Sequence, residues 1–167
     1  MRYCLTLLIY AMLMALPSKA NTMTSAQAPL SISLQCLGNN GCVYQRKPMD
    51  LLVTIRNDGS RAIGFPLDYL RKSGPIVKFI DTDTGEVTYA RRGLANPALK
   101  TQFTMIAPGA SISMEIDIHP TDIETFRIKK VDISVQVILK GDIRIDGEGA
   151  LQDYQGGAKI RIFEKDE

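Results

Sequence analysis

A few groups of side chains in this sequence have the type and spacing to do chemistry. Cys36-Leu37-Gly38-Asn39-Asn40-Gly41-Cys42 sets two thiols around a run of turn-forming residues. Asp81-Thr82-Asp83-Thr84-Gly85-Glu86 begins like a calcium loop, and His119 is the single histidine. A thiol pair can hold a metal, cycle as a redox couple or close a disulfide. Zinc needs further Cys or His ligands, and redox pairs usually show the closer Cys-x-x-Cys spacing. Glycine and asparagine between the two cysteines permit the positive φ values of a tight reversal. A disulfide between Cys36 and Cys42, stapling a hairpin, is the expected product. Closing so short a loop contributes about 2 kcal/mol on the chain-entropy model.

The other groups fall short of a reaction centre. An EF-hand loop needs a third ligand where Gly85 stands, and a glutamate where Arg91 stands. The Asp81–Glu86 stretch is therefore expected to be a hairpin turn, with a low-affinity cation site as the alternative. His119 precedes Pro120 on the polar side of a strand pattern. Acyl transfer would require a nucleophile beside it and an acid to orient it, and no G-x-S-x-G stretch supplies one. Glycosidase chemistry needs two carboxylates across a cleft, and scattered acids cannot be paired from sequence. The sequence thus predicts no catalytic residue, no metal ligand, no cofactor and no enzyme activity. A hydrolase assembled from distant loops is the contrary hypothesis.

The N-terminus assigns the compartment. Arg2 precedes an apolar run from Tyr3 to about Leu16, and Pro17-Ser18-Lys19-Ala20 ends in a small residue. The run is shorter than the ~20 residues that cross a bilayer, so residues 1–20 read as a signal peptide cleaved after Ala20, with a retained N-terminal anchor as the alternative. No membrane insertion is expected after cleavage. Cys4 leaves with the signal, and an even pair in an oxidising compartment favours the disulfide. The chain carries 20 Lys+Arg and 18 Asp+Glu. Residues 1–20 hold Arg2 and Lys19 and no acid, so the mature chain balances 18 basic side chains against 18 acidic ones. Nucleic-acid binders show a basic excess or stripe; Arg91-Arg92 and Lys129-Lys130 are isolated pairs, and no nucleic-acid partner is expected.

The elements that must position any site are strands. Residues 21–29 read as a flexible lead-in, and 30–167 as one domain. Ile112, Met114, Ile116 and Ile118 alternate with polar neighbours, as do Val131, Ile133, Val135 and Val137. Period-two alternation describes strands with one face in the core and one in water. Strands are expected near 30–36, 42–46, 50–57, 76–82, 86–92, 101–106, 110–118, 129–140 and 158–165. Turn chemistry separates them at Asn57-Asp58-Gly59-Ser60, Asp83-Thr84-Gly85 and Ala107-Pro108-Gly109. Segment 120–127 is expected to make one helical turn, with Thr121 as cap and Glu124 three residues later. The fold class is all-β, an antiparallel immunoglobulin-like β-sandwich of about 7–9 strands. A closed small barrel is the alternative.

Loops on a rigid sandwich carry function. Segments 58–74, 92–100 and 141–157 are long or rich in glycine and proline. The last holds five glycines and reads either as a mobile loop or as the end of a long hairpin. Phe65, Leu67 and Tyr69 form an apolar cluster with Pro66 and Leu70; with Leu94 and Tyr154 they are the candidate partner contacts. A loop folding its own satellite core is the other reading of that cluster.

The order of features from Pro48 to about Val137 resembles a bacterial immunoglobulin-like group. It is similar to the intracellular proteinase inhibitors of bacilli (BsuPI-type) and, more distantly, to the β-rich N-terminal segment of aspzincin metalloendopeptidases. The residues that carry this are the strand ending in Asn57-Asp58-Gly59-Ser60-Arg61-Ala62-Ile63, the pair Val77–Asp81 and Thr84–Val87, and Ile106-Ala107-Pro108-Gly109 before Ser111–Ile118. Phe126-Arg127-Ile128 stands where members carry Gly-x-Tyr. The resemblance implies the same sandwich and a role in binding another protein, a peptidase among the candidates. The expectation is a secreted or periplasmic bacterial monomer that binds a protein partner through loops. A component of the envelope that assembles through strand edges is the alternative.

Overall fold

The structure, a computed structural model, describes residues 29–38, 41–126 and 130–165. Residues 1–20, expected to be a signal peptide, and nearly all of the expected lead-in lie outside the described residues. Nine strands form two antiparallel sheets, so the all-β sandwich stands. One sheet holds β1 (Leu30–Cys36), β2 (Met49–Asn57) and β7 (Ser111–Ile118), in the order β1-β2-β7. The other holds β3 (Ile63–Phe65), β4 (Ile76–Asp81), β5 (Val87–Tyr89), β6 (Thr104–Ile106), β8 (Asp132–Ile145) and β9 (Glu148–Phe163). In this second sheet β8 is central, with β9 along one edge and β4 then β3 along the other. The layout β1-β2-β7 facing β5-β4-β8-β9 is the two-sheet order of immunoglobulin-like domains.

Alternation in the sequence becomes burial in the fold. Leu51, Val53 and Ile55 of β2 are fully buried, and so are Phe79, Ile133, Val135, Val137 and Leu139 opposite them. Their polar neighbours face out, which pins the register, because a one-residue slip would turn every apolar side chain to water.

Several boundaries differ from the sequence expectation. Segment 42–46 is not a strand: Val43 alone bridges Phe163 in parallel. The staple therefore does not close a hairpin between two paired strands. Cys36 ends β1, while Cys42 belongs to the β1–β2 connection, and the bond joins them with Cα atoms 5.4 Å apart. Tyr44 N donates to Phe163 O at 2.8 Å and Phe163 N to Cys42 O at 3.2 Å. The disulfide thus ties the first sheet to the far end of β9 in the second. Gly38 and Gly41 take φ values of 108° and 60°. The expected strand 101–106 shortens to β6, preceded by a 3-10 helix at Pro97–Thr101. The expected helical turn near 120–127 is a 3-10 segment, Pro120–Phe126.

Of the two readings of 141–157, the structure takes the long hairpin and not the mobile loop. β8 runs on to Ile145 and β9 begins at Glu148, joined by Asp146-Gly147 with φ of 55° and 72°. An Asp-Gly pair with both residues at positive φ suits a two-residue hairpin whose twist matches its strands. Gly156 and Gly157 serve close approach. A Cβ on Gly157 would lie 2.5 Å from the Val137 carbonyl oxygen, and one on Gly156 would lie 2.1 Å from the Tyr154 hydroxyl.

One polar residue organises an end of the sandwich. Asn57 is fully buried, and its Nδ2 donates to Arg61 O at 2.7 Å and to Ile106 O at 2.9 Å. Its Oδ1 accepts from Gly59 N at 2.9 Å. Its backbone pairs with Ala110 O and Gly109 N. The side chain thereby joins the end of β2, the 58–62 turn and the end of β6.

Candidate functional site

The chemical groups singled out in the sequence are occupied locally. Asp81 Oδ1 accepts from Asp83 N at 2.9 Å and Thr84 N at 2.7 Å, which builds the β4–β5 turn. His119 is exposed, and its backbone N–H donates to Asp122 Oδ2 at 2.9 Å. Among the described residues no three His, Cys, Asp or Glu side chains gather as metal ligands would. No helix among them is long and apolar enough to cross a membrane.

The five candidate contact residues divide. Phe65, Leu67 and Tyr154 are buried, Phe65 meeting Tyr154 edge-on at 6.0 Å between ring centroids. They are core residues, and the reading of them as surface contacts is withdrawn: they belong to the main sandwich core rather than to a satellite core of the loop. Tyr69 is half-buried and Leu94 is 100% exposed.

A seven-residue helix, α1 (Leu67–Ser73), explains the split. Leu67 and Leu70, three apart, bury one face. Pro66 occupies the N-cap position, Asp68 lies in the first turn, and Arg71 and Lys72 lie in the last, in the sense the helix dipole favours. Gly74 ends the helix at φ 71°, its N–H donating to Leu70 O. Tyr69 is left on the rim.

Against α1 lies the 90–100 connection. Gly93 N donates to Ser73 O at 2.9 Å, and a Cβ on Gly93 would meet Lys72 O at 2.6 Å. Only glycine permits this approach. Arg92 reaches Gly74 O through Nε at 3.3 Å and Ser73 Oγ at 3.5 Å. Asn96 Oδ1 accepts from Ala98 N at 3.0 Å and caps the 3-10 helix. Leu94 is presented between these two fixed points.

Between α1, this connection and the β8–β9 hairpin opens a cleft of about 310 Å³. Its apolar lining comes from Pro66, Leu70, Pro75, Ile76 and Ile138, with Tyr69 beside them. Arg92, Lys100 and Lys140 contribute cations, and Asp142 and Asp153 carboxylates. Lys100 Nζ stands 5.1 Å from the Tyr69 ring centroid. All three segments singled out in the sequence contribute, although most residues named in them do not. Leu94 is outside the cleft lining, on the connection that supplies Arg92 and Lys100. The lining residues Arg92, Lys100, Lys140, Asp142 and Asp153 were missed because nothing local marks them. Outward alternation on β8 is the one signal that bears on Lys140 and Asp142.

No family model matches the chain, and no curated protein matches it. Solved structures give distant similarities. The structural-genomics target SoR45 aligns at 9% identity and TM-score 0.46, over 83% of this chain and 88% of that one. A protein from Archaeoglobus fulgidus aligns at 11% identity and TM-score 0.41, over 81% of this chain and 98% of that one. The β-glucosidase EmGH1 from Erythrobacter marinus aligns at 12% identity and TM-score 0.40, over 81% of this chain but only 15% of the enzyme. No residue role is carried over from any of them.

Proposed function

We propose that this chain is an exported, non-catalytic module that binds another protein through the end of the sandwich carrying the cleft. The observation that supports this is convergence: three segments far apart in sequence line one cleft beside a fully exposed leucine. An apolar side chain held out by a hydrogen-bonded loop loses little freedom on binding, which is how preorganised contacts gain affinity. The signal-like N-terminus and the disulfide support a secreted or periplasmic bacterial location. The resemblance to bacillary proteinase inhibitors makes a peptidase the first partner class to try. In this reading the protein is a monomer and nucleic acid is not a partner.

The test is affinity capture from native envelope and culture fractions, with the mature protein and a Leu94→Asp variant in parallel. A protein held by the first and lost by the second supports the reading. A partner retained equally by both contradicts it.

A second reading, assembly through strand edges, rests on β5. This three-residue edge strand exposes Val87 at 46% and Tyr89 at 55%. Size-exclusion chromatography separates the two, since a concentration-independent monomer argues against self-assembly.

A further inference from the structure

The geometry points to a specific occupant for the cleft: a short segment of a partner protein carrying an acidic, an apolar and a basic side chain together. This rests on the protein-binding reading and deepens it.

The charges in the cleft are unneutralised. Arg46, Arg56, Arg61, Arg71 and Arg161 each pair with a carboxylate elsewhere on the molecule. Arg92, Lys100, Lys140, Asp142 and Asp153 form no ion pair among the described residues, although all five line one cleft. Arg92 is aligned by the Gly74 carbonyl and the Ser73 hydroxyl, which leaves its remaining N–H donors for another acceptor. Lys100 is set against the face of Tyr69 rather than against an acid. Asp142 and Asp153 are direct partners across the β8–β9 ladder, and like charges so opposed destabilise a sheet unless something positive comes between them.

The 90–100 connection therefore brings Arg92 and Lys100, and the hairpin brings a carboxylate pair, with an apolar floor also lining the cleft. The volume, near the lower end of those that hold small ligands, admits one large apolar side chain and its neighbours. A purely acidic ligand would meet the Asp142–Asp153 pair, and a purely basic one would meet Arg92 and Lys100. Charge complementarity selects a segment bearing both signs.

The experiment uses the mature protein with labelled Ile and Leu methyl groups and a blocked peptide, acetyl-Gly-Glu-Phe-Lys-Gly-amide, followed by NMR titration. Methyl shifts concentrated at Leu70, Ile76 and Ile138 are expected. Arg92→Gln and Asp142→Asn should each weaken binding roughly threefold, with amide spectra confirming the fold. A peptide with Gln in place of Glu should lose its sensitivity to Arg92→Gln while keeping its sensitivity to Asp142→Asn. Absence of cleft shifts at peptide concentrations on the order of millimolar would overturn the proposal. So would free phenylalanine binding as tightly as the blocked peptide, since the occupant would then be a small zwitterion. The two readings fail separately. If the cleft ignores the peptide while Leu94→Asp still abolishes partner capture, only the occupant is wrong. If the peptide binds and capture survives Leu94→Asp, the Leu94 surface is wrong.

Discussion

Asn57 shows how one side chain sets the cost of a substitution. Its carboxamide satisfies the buried Ile106 O and, at the part-buried edge of the turn, Gly59 N and Arg61 O. Removing it strands one buried carbonyl, at a cost of about 1–3 kcal/mol, and releases two part-buried groups that cost less. Asn57→Ala should therefore lower the unfolding free energy by about 3 kcal/mol in urea denaturation; a loss under about 1 kcal/mol would mean water replaces the amide. Tyr154 is the converse. Its hydroxyl is buried without a hydrogen-bond partner, and that burial raises its pKa. Tyr154→Phe keeps the edge-on contact with Phe65 and removes the orphan group. The variant should be as stable as the parent or more so by up to about 1 kcal/mol, by thermal or urea unfolding. Neither role was legible in the sequence. Asn57 reads there as an ordinary turn former, and Tyr154 as a loop tyrosine among glycines.

At the scale of elements, the strands of six to nine residues were legible, while the shortest strands and the full extent of β8 and β9 were not. β1, β2, β4 and β7 follow from alternation to within a residue or so of their observed ends. α1 spans seven residues, too few for a 3.6-residue stripe to stand out, although Leu67, Leu70 and Gly74 carry its signal. The 141–157 hairpin was obscured because glycine marks both a turn and a close approach. Asp146-Gly147 supplies the turn, while Gly156 and Gly157 make room for Tyr154 and for the β8 backbone. The Asp-Gly pair was the available clue. The connection from Cys36 to Tyr44 was misread as half a hairpin because its partner, Phe163, lies at the other end of the chain. Its covalent tie predicts a local effect. The double variant Cys36→Ala/Cys42→Ala should lose about 2 kcal/mol of stability in urea unfolding. The Tyr44 and Phe163 amides should gain exchange rate more than those of β2. Uniform acceleration of all strands would contradict a local tie.

For the whole molecule, ion pairs that tie strands and connections together set the response to acid. Arg161 hydrogen-bonds to Asp132 across β8 and β9 and holds its carboxyl below the ordinary value of 3.8. Burial pushes Glu164 up, but the Val131 N–H and Arg46 outweigh it and hold it below 4.5. A depressed carboxylate stabilises the fold above its unfolded pKa and loses that contribution as pH falls through its folded pKa. Stability should therefore be level with respect to these pairs above about pH 5 and decline below about pH 4. Asp132→Asn together with Glu164→Gln should flatten that decline in urea midpoints measured against pH; an unchanged slope would place the acid sensitivity elsewhere. The layered fold was legible because buried and outward residues alternate along β2, β7 and the first part of β8. The cleft was not, because its charges come from β8, β9 and the β5–β6 connection, segments distant in sequence that meet only once the second sheet has formed.

The most direct test of the account is hydrogen–deuterium exchange of the mature protein alone and with its captured partner. Protection is predicted at 66–75, 90–100 and 138–154, where the helix, the pinned connection and the hairpin surround the cleft. Protection confined to the edge at β5, or to the outer face of the β1-β2-β7 sheet, would contradict it.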